Sequence, residues 1–139
     1  MGLFDRLRGH TPPRPAASAP TAPSPGPARF AVIDVETTGL HPGRDRILEL
    51  AILRADEHGR PIDRWSTRMN PGVPVRATHI HGITDADVAG APSFTDLAVT
   101  IGAALQGLVA VAHNAEFDVE FLRAEFARAA MPVPRFSTY

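Results

Sequence analysis

The distribution of apolar and polar residues predicts a sheet-forming first half of the chain. Apolar residues dominate 30–36, and two further runs follow at 46–54 and 63–69, separated by glycine- and proline-containing turns. The short connections between these runs favour an antiparallel meander of three strands. Because the first run is apolar on both faces, we expect it in the middle of the sheet.

The second half begins with helical patterns. We expect a short helix over 76–81, ended by Gly82. A better-marked helix starts after Ser93, because Asp96 three residues later completes a capping-box pattern. Apolar residues then recur at helical spacing, and Gly107 suits the position just beyond the helix end.

A strand and a last helix complete the pattern. The all-apolar segment 108–112 suits a buried strand parallel to the first. Asn114 can cap a helix that runs to about residue 130, where Pro132 follows. Three strands, a helical crossover and a parallel strand together predict an α/β domain.

The N-terminal segment differs from the rest in composition. Seven prolines lie between residues 11 and 27, with alanine, serine and threonine among them. Such a segment cannot bury enough apolar surface to fold. We therefore expect a disordered tail over 1–28 and a folded domain over 29–139.

Charge and cysteine content narrow the class of protein. The chain has no cysteine, which excludes disulfides and thiolate metal sites. Residues 1–28 hold three arginines against one acid, whereas 29–139 hold eleven arginines against fourteen acids. This balance argues against a broad basic surface for nucleic acid. No apolar run approaches the ~20 residues of a membrane span, so we expect a cytoplasmic protein without membrane contact.

Two carboxylates interrupt the first apolar run. Asp34 and Glu36 stand two residues apart, so in a strand both point to the same face. A charge within a buried strand is costly unless something neutralises it. A divalent cation is the simplest neutraliser, because hard cations take oxygen ligands.

A third carboxylate lies on the last predicted helix. At 100° per residue, Asp118 falls within the apolar face, between Phe121 and Leu122. The helix starts directly after the strand at 108–112, so its first turn lies at the edge of the sheet, where sites form in open α/β sheets. Glu125 points in a similar direction. It could be a snorkelling acid, a capping acid or, less simply, a catalytic acid.

Three motifs resemble a known family. Asp34-Val-Glu36-Thr-Thr-Gly-Leu40 is similar to the first motif of the DEDD superfamily of 3′–5′ exonucleases, and His113-Asn-Ala-Glu-Phe-Asp118 to its second. His81-Gly-Ile-Thr84 matches a signature of the branch typified by the epsilon proofreading subunit of bacterial DNA polymerase III. The resemblance runs from about residue 30 to Tyr139. It implies a ribonuclease-H-like fold, with a mixed sheet of three antiparallel strands, parallel strands beside the first, and flanking helices.

The resemblance also implies an activity and a set of site residues. Asp34, Glu36 and Asp118 would be the catalytic residues and the ligands of two Mg²⁺ or Mn²⁺ ions. The substrate would be the 3′ end of nucleic acid, most simply single-stranded DNA, and a DNA polymerase subunit would be a further partner. The substrate-binding residues that it implies are Thr37, Thr38, Leu40, His81 and Phe117.

Several of these residues have a simpler interpretation. Phe117 could be a core residue, and His81 could merely end the short helix. His79 and His81 form a His-x-His pair, but no third ligand for zinc is evident. His113 and Asn114 suit a turn and a helix cap better than catalysis.

The family's third motif, His-x₄-Asp or a Tyr-x₃-Asp variant, is missing from this sequence. No aspartate or histidine follows Asp118, and Phe136–Tyr139 looks like the start of another strand. We therefore expect an exonuclease domain that is incomplete at its C terminus, with an exposed sheet edge and little activity alone. The alternatives are a non-catalytic module that binds a 3′ end or a polymerase, and an RNA-directed exonuclease. The coding sequence past Tyr139 would separate the first alternative from the enzyme.

Overall fold

The structure is a computed structural model that describes residues 28–139, so the predicted disordered tail lies outside the described residues, Ala28 apart. A five-stranded sheet of order β3-β2-β1-β4-β5 forms its centre. The strands are β1 (Phe30–Thr37), β2 (Ile47–Ala55), β3 (Pro61–Arg68), β4 (Val109–Val111) and β5 (Ser137–Thr138). A mixed sheet with β1 in the middle confirms the predicted α/β class.

The pairing of the strands follows the sequence pattern. β1 pairs antiparallel with β2, and β2 pairs antiparallel with β3, which confirms the meander. β4 runs parallel to β1, as its continuous apolar pattern predicted. β5 forms at the predicted position and pairs parallel with β4. β5 therefore covers the edge of β4, and β5 itself, whose two residues are exposed, is the edge strand on this side of the sheet.

Within residues 28–139, four helices accompany the sheet, namely α1 (Thr78–His81), α2 (Asp85–Val88), α3 (Phe94–Leu105) and α4 (Ala115–Arg128). α3 begins with the predicted capping box, in which Ser93 and Asp96 exchange hydrogen bonds of 3.0 and 3.1 Å. Asn114 caps α4 by accepting the Phe117 N–H at 3.4 Å. None of the helices in the described part of the chain is long and apolar enough to cross a membrane.

The core lies on one side of the sheet. Along β1, Ala31, Ile33 and Val35 are buried and belong to one apolar cluster with side chains of α3 and α4. Phe94 and Phe126 join the two helices through an edge-to-face contact, with ring centroids 5.0 Å apart. The alternate residues of β1 are only half-buried. α3 and α4 thus pack against one face of β1, and the strand is central in the sheet, as predicted.

Candidate active site

The site forms where β1 and β4 separate. Their parallel pairing covers only Phe30–Val32, although β1 continues to Thr37. Beyond this point the first turn of α4 occupies the place that a longer β4 would fill. The Val35 N–H therefore donates to Asp118 Oδ1 on α4, at 3.1 Å, across 83 positions of the sequence.

Asp118 is a buried carboxylate in an unfavourable electrostatic environment. Its exposed fraction is 5%. Its pKa is raised to about 7, mainly by burial and also by the negative charges of Asp34 and Glu36, while the hydrogen bond from the Val35 N–H partly opposes the change. Among the described residues, the charges that act on Asp118 are thus both negative.

Asp34 and Glu36 lie half-buried on the face of β1 that points away from α3 and α4. Glu36 stands opposite Glu49 of β2, and Glu49 forms an ion pair of 3.3 Å with Arg68. Asp118 lies beside Val35 of β1, close enough to Asp34 and Glu36 for their charges to raise its pKa.

The carboxylates of Asp34, Glu36 and Asp118 are neighbours, but they are not arranged to hold a metal ion together. Within residues 28–139, no group of three or more Asp, Glu, His or Cys side chains is arranged to hold a metal ion. Repulsion between like charges is the physical reason for carboxylates to stay apart. The same finding leaves the His79 and His81 pair without a third ligand.

Thr37, the last residue of β1, and Thr38 in the following loop, residues 38–46, turn their side chains inward. Thr37 Oγ1 donates to the Gly39 carbonyl at 2.6 Å, and Thr38 Oγ1 accepts the Arg46 N–H at 3.0 Å. Both threonines are buried. Leu40, in contrast, is 74% exposed. Leu40 is therefore exposed to solvent, while the two threonine hydroxyls hold the turn together.

Asp45 is a buried acid in this loop that the sequence interpretation missed. It accepts the His41 N–H at 2.9 Å. Burial alone would raise its pKa, but this hydrogen bond and the charge of Arg44 outweigh burial, so the pKa of Asp45 is lowered. A side-chain carbon at Gly39 would collide with the Asp45 carboxylate. Glycine at position 39 thus allows the close approach that closes the loop.

The structure places His81 and Phe117 in roles that their simpler interpretations anticipated. His81 Nδ1 accepts the Ile83 N–H at 3.0 Å, and its Nε2 lies 2.7 Å from the Arg76 carbonyl. Phe117 is half-buried and packs on Phe121, with ring centroids 4.8 Å apart. A contact of either residue with substrate stays a prediction.

Glu125 is a buried member of an ion pair, not a snorkelling or capping acid. Its exposed fraction is 1%, and its two carboxylate oxygens accept from Arg46 Nε at 2.8 Å and Nη2 at 2.9 Å. The hydrogen bond with Glu125 raises the pKa of Arg46, against the effect of burial. No sequence signal identified Arg46 as the partner, because the two residues are 79 positions apart.

A mixed sheet of this order, with carboxylates at the end of its central strand, is the ribonuclease-H-like arrangement that the sequence motifs implied. Residues 31–139 match the exonuclease family, and the chain belongs to that family. The resemblance to the DEDD superfamily of exonucleases is thereby confirmed.

Relatives in sequence carry names from DNA replication. The chain is 44% identical over 99 residues to a DNA polymerase III subunit epsilon-like protein of Rhodobacter capsulatus, covering 68% of this chain and 14% of that protein. It is 40% identical over 100 residues to DNA polymerase III subunit epsilon of Treponema pallidum, covering 70% of this chain and 46% of that protein. The chain thus spans less than half the length of each of these relatives.

Solved structures show the same fold. Exonuclease I of E. coli, in complex with an oligonucleotide, superimposes with a TM-score of 0.72 over 79% of this chain and 27% of that chain. The sequence identity is 23%, so this likeness supports the fold alone.

Proposed function

We propose that the chain provides the catalytic carboxylates of a metal-dependent 3′–5′ exonuclease that acts on DNA. The observation that carries the proposal is the buried Asp118 carboxylate beside Asp34 and Glu36, with its pKa raised to about 7. Perturbed titratable groups that cluster at a strand end are typical of active sites. Membership in the exonuclease family supplies the reaction class.

The residues fit divalent metal ions in chemistry, although their side chains must move inward to bind one. An all-oxygen donor set suits Mg²⁺ or Mn²⁺. Asp34 would serve both ions, and Glu36 and Asp118 would serve one each. Two bound ions would supply an activated water and stabilise the leaving 3′ oxygen. In their absence, the protein keeps Asp118 in place through the Val35 N–H.

The loop after β1 is the proposed grip for the terminal nucleotide. Leu40, four residues after Glu36, is an exposed apolar side chain, and it can pack on a base whatever the identity of that base. Thr37 and Thr38 would act indirectly, because their hydroxyls fix the turn that carries Leu40. Contact through a base face and the backbone suits an enzyme that removes any nucleotide.

The proposed substrate is a single strand with a free 3′ end. The E. coli exonuclease I that shares the fold was solved with an oligonucleotide. The relatives named DNA polymerase III epsilon make a polymerase subunit the proposed protein partner. Residues 119–139 contain neither aspartate nor histidine, so we expect residues 1–139 alone to bind ends better than they hydrolyse them.

The test compares binding and shortening of three oligonucleotides in Mn²⁺: linear single-stranded DNA, the same sequence circularised, and linear RNA. We expect preference for linear over circular DNA, and any shortening of 5′-labelled DNA to proceed from the 3′ end. Asp34→Asn, Glu36→Gln and Asp118→Asn should abolish shortening. Glu116→Gln, an exposed acid in the first turn of α4, is the matched control.

Each comparison in this test has an outcome that would contradict part of the proposal. Undiminished shortening by the Asp118 variant would refute the assignment of that residue. Equal binding of linear and circular DNA would refute end recognition. End binding that is independent of Mn²⁺ and unchanged in Asp34→Asn would support the non-catalytic module, and preference for the RNA strand would support the RNA-directed alternative.

A further inference from the structure

We propose that Glu125 is a positioning residue for the metal-binding carboxylates. Together with Arg46 and Arg128, it fixes α4 against the loop 38–46, and it thereby sets where Asp118 stands relative to the end of β1. This inference rests on the proposed function, since it gives Glu125 a purpose in that site. Glu125 itself is not a ligand, because its carboxylate oxygens are already engaged by Arg46.

The contacts of Glu125 leave it little freedom. Arg46 binds both of its oxygens in the two-pronged geometry that fixes a carboxylate in orientation as well as position. The Ile47 N–H donates to Oε1 at 3.0 Å, so the first residue of β2 is held as well. The carboxylate is therefore tied to both the side chain and the backbone at the start of β2.

Two further hydrogen bonds extend this contact to neighbouring loops. Arg46 Nη1 donates to the Pro71 carbonyl at 3.0 Å. Arg128, one turn beyond Glu125, donates from Nη2 to the Pro42 carbonyl at 2.6 Å and lies 3.6 Å from Glu125 Oε1. The C-terminal half of α4 thus holds the loop 38–46 at two points.

The same helix carries Asp118 at its other end. Seven residues separate Asp118 from Glu125, which is about two helical turns or ~10 Å along one face. The loop that Glu125 holds leads directly from the strand that carries Asp34 and Glu36. A shift of α4 at Glu125 would therefore move Asp118 relative to both acids, and displacements of this kind can be costly to catalysis.

The hydrogen bond from the Val35 N–H to Asp118 reports this position without any metal or substrate. We would measure amide hydrogen exchange by NMR in the metal-free chain, for Glu125→Gln and for the matched control Glu120→Gln. Glu120 lies on the exposed side of α4 and pairs only with nearby Arg123 at 2.9 Å among the described residues. We expect exchange at Val35 to rise about tenfold in the Glu125 variant relative to amides of the β2–β3 ladder, and to stay unchanged in the control.

Mn²⁺ affinity is the second readout. We expect it to fall about tenfold in Glu125→Gln, as is typical when a partner that orients metal ligands is removed. Unchanged Val35 exchange in Glu125→Gln would overturn the proposal, whatever the Mn²⁺ affinity, and leave Glu125 a stabilising ion pair. If the Glu125 variant does not fold, Arg128→Gln tests the same contact, with an expected rise of about threefold in Val35 exchange; no rise there would overturn the proposal.

The outcomes separate this inference from the proposed function. If the proposed function is wrong, Asp118→Asn will bind Mn²⁺ as tightly as wild type. Failure of the positioning role would appear as normal Val35 exchange in the Glu125 or Arg128 variant, while Asp118→Asn still loses Mn²⁺.

Discussion

The two ends of α4 each bury a carboxylate, and their surroundings are opposite. Asp118, in the first turn, meets one backbone N–H and two negative neighbours, and its pKa is raised to about 7. Glu125, two turns later, meets Arg46 on both oxygens and the Ile47 N–H. Both side chains are at least 95% buried, with exposed fractions of 5% and 1%.

The difference separates a buried charge that is compensated within the fold from one that the proposed metal site would compensate. A buried carboxylate that is paired and hydrogen-bonded is tolerated by the fold, and removing it leaves its partner uncompensated. A buried carboxylate among other acids costs stability, so its presence is better explained by a bound cation. Burial alone does not separate the two cases, whereas the sign of the neighbouring charges does.

The largest expected change in the free energy of unfolding is at Glu125, the carboxylate of α4 that is paired with Arg46. Glu125→Ala should lower the free energy of unfolding by about 3 kcal/mol, because Arg46 loses its partner while partly buried. Urea unfolding followed by fluorescence of Trp65, the one tryptophan of the chain, measures this. Glu120→Ala should change stability by no more than about 0.5 kcal/mol, and equal losses in the two variants would contradict the assignment of Glu125.

Asp45 is a second buried acid whose charge is compensated, and it lies in the loop 38–46, where it accepts the His41 N–H. Gly39→Ala would push a methyl group into the Asp45 carboxylate. We expect a loss of about 2 kcal/mol, as in other overpacked sites, together with weaker binding of linear single-stranded DNA. Gly43→Ala is the matched control, since a side-chain carbon there meets no atom within 4 Å. Equal melting temperatures for the two variants would refute this close approach.

Substitution of Asp118, at the other end of α4, should change the free energy of unfolding in the opposite direction. In metal-free buffer at pH 8, Asp118→Asn should raise the free energy of unfolding by on the order of 1–2 kcal/mol, less than the full pKa shift implies because of solvent screening. The amide can still accept the Val35 N–H, so the gain reflects loss of the charge. Destabilisation at pH 8 would show that the Asp118 charge is compensated.

The pH dependence of this gain follows from the sign of the shift. The folded-state pKa of about 7 lies above the ordinary 3.8, so the contribution of Asp118 to stability is full below about pH 4 and is lost as the pH rises through 7. Wild type and Asp118→Asn should therefore be similar in stability near pH 4 and diverge up to about pH 8. A difference that is independent of pH would contradict the shift.

The smallest effect on stability is expected at Leu40. Leu40→Ala should change the free energy of unfolding by less than about 0.5 kcal/mol, because the side chain is exposed. Its dissociation constant for linear single-stranded DNA should rise about tenfold if the side chain packs on a base. Fluorescence anisotropy measures this change, and unchanged affinity would remove Leu40 from the site.

Local signals in the sequence predicted most elements of the fold. Ser93 and Asp96 predicted the start of α3, and the same pattern at Thr84 and Asp87 marks the missed helix α2, whose single turn is too short for apolar periodicity to show. Asp118 was found because an acid interrupts an apolar helix face. Such signals lie within a few residues of one another.

The contacts that the sequence did not predict are distant along the chain. Glu125 was noticed, but its pairing with Arg46 depends on where α4 docks on the sheet. The approach of Asp45 to Gly39 depends on the conformation of the loop, which the spacing of apolar residues in the sequence does not predict. Charge compensation is a property of the folded neighbourhood, so the sequence alone could not tell Asp118 and Glu125 apart.

The most direct test of the central claim is a Mn²⁺ titration of the wild-type chain, Asp118→Asn and Glu116→Gln by isothermal calorimetry. The account predicts that wild type and Glu116→Gln bind alike, while Asp118→Asn binds at least about tenfold more weakly. Equal Mn²⁺ affinity in wild type and Asp118→Asn would contradict the claim that the unpaired carboxylate of α4 is there for a metal ion.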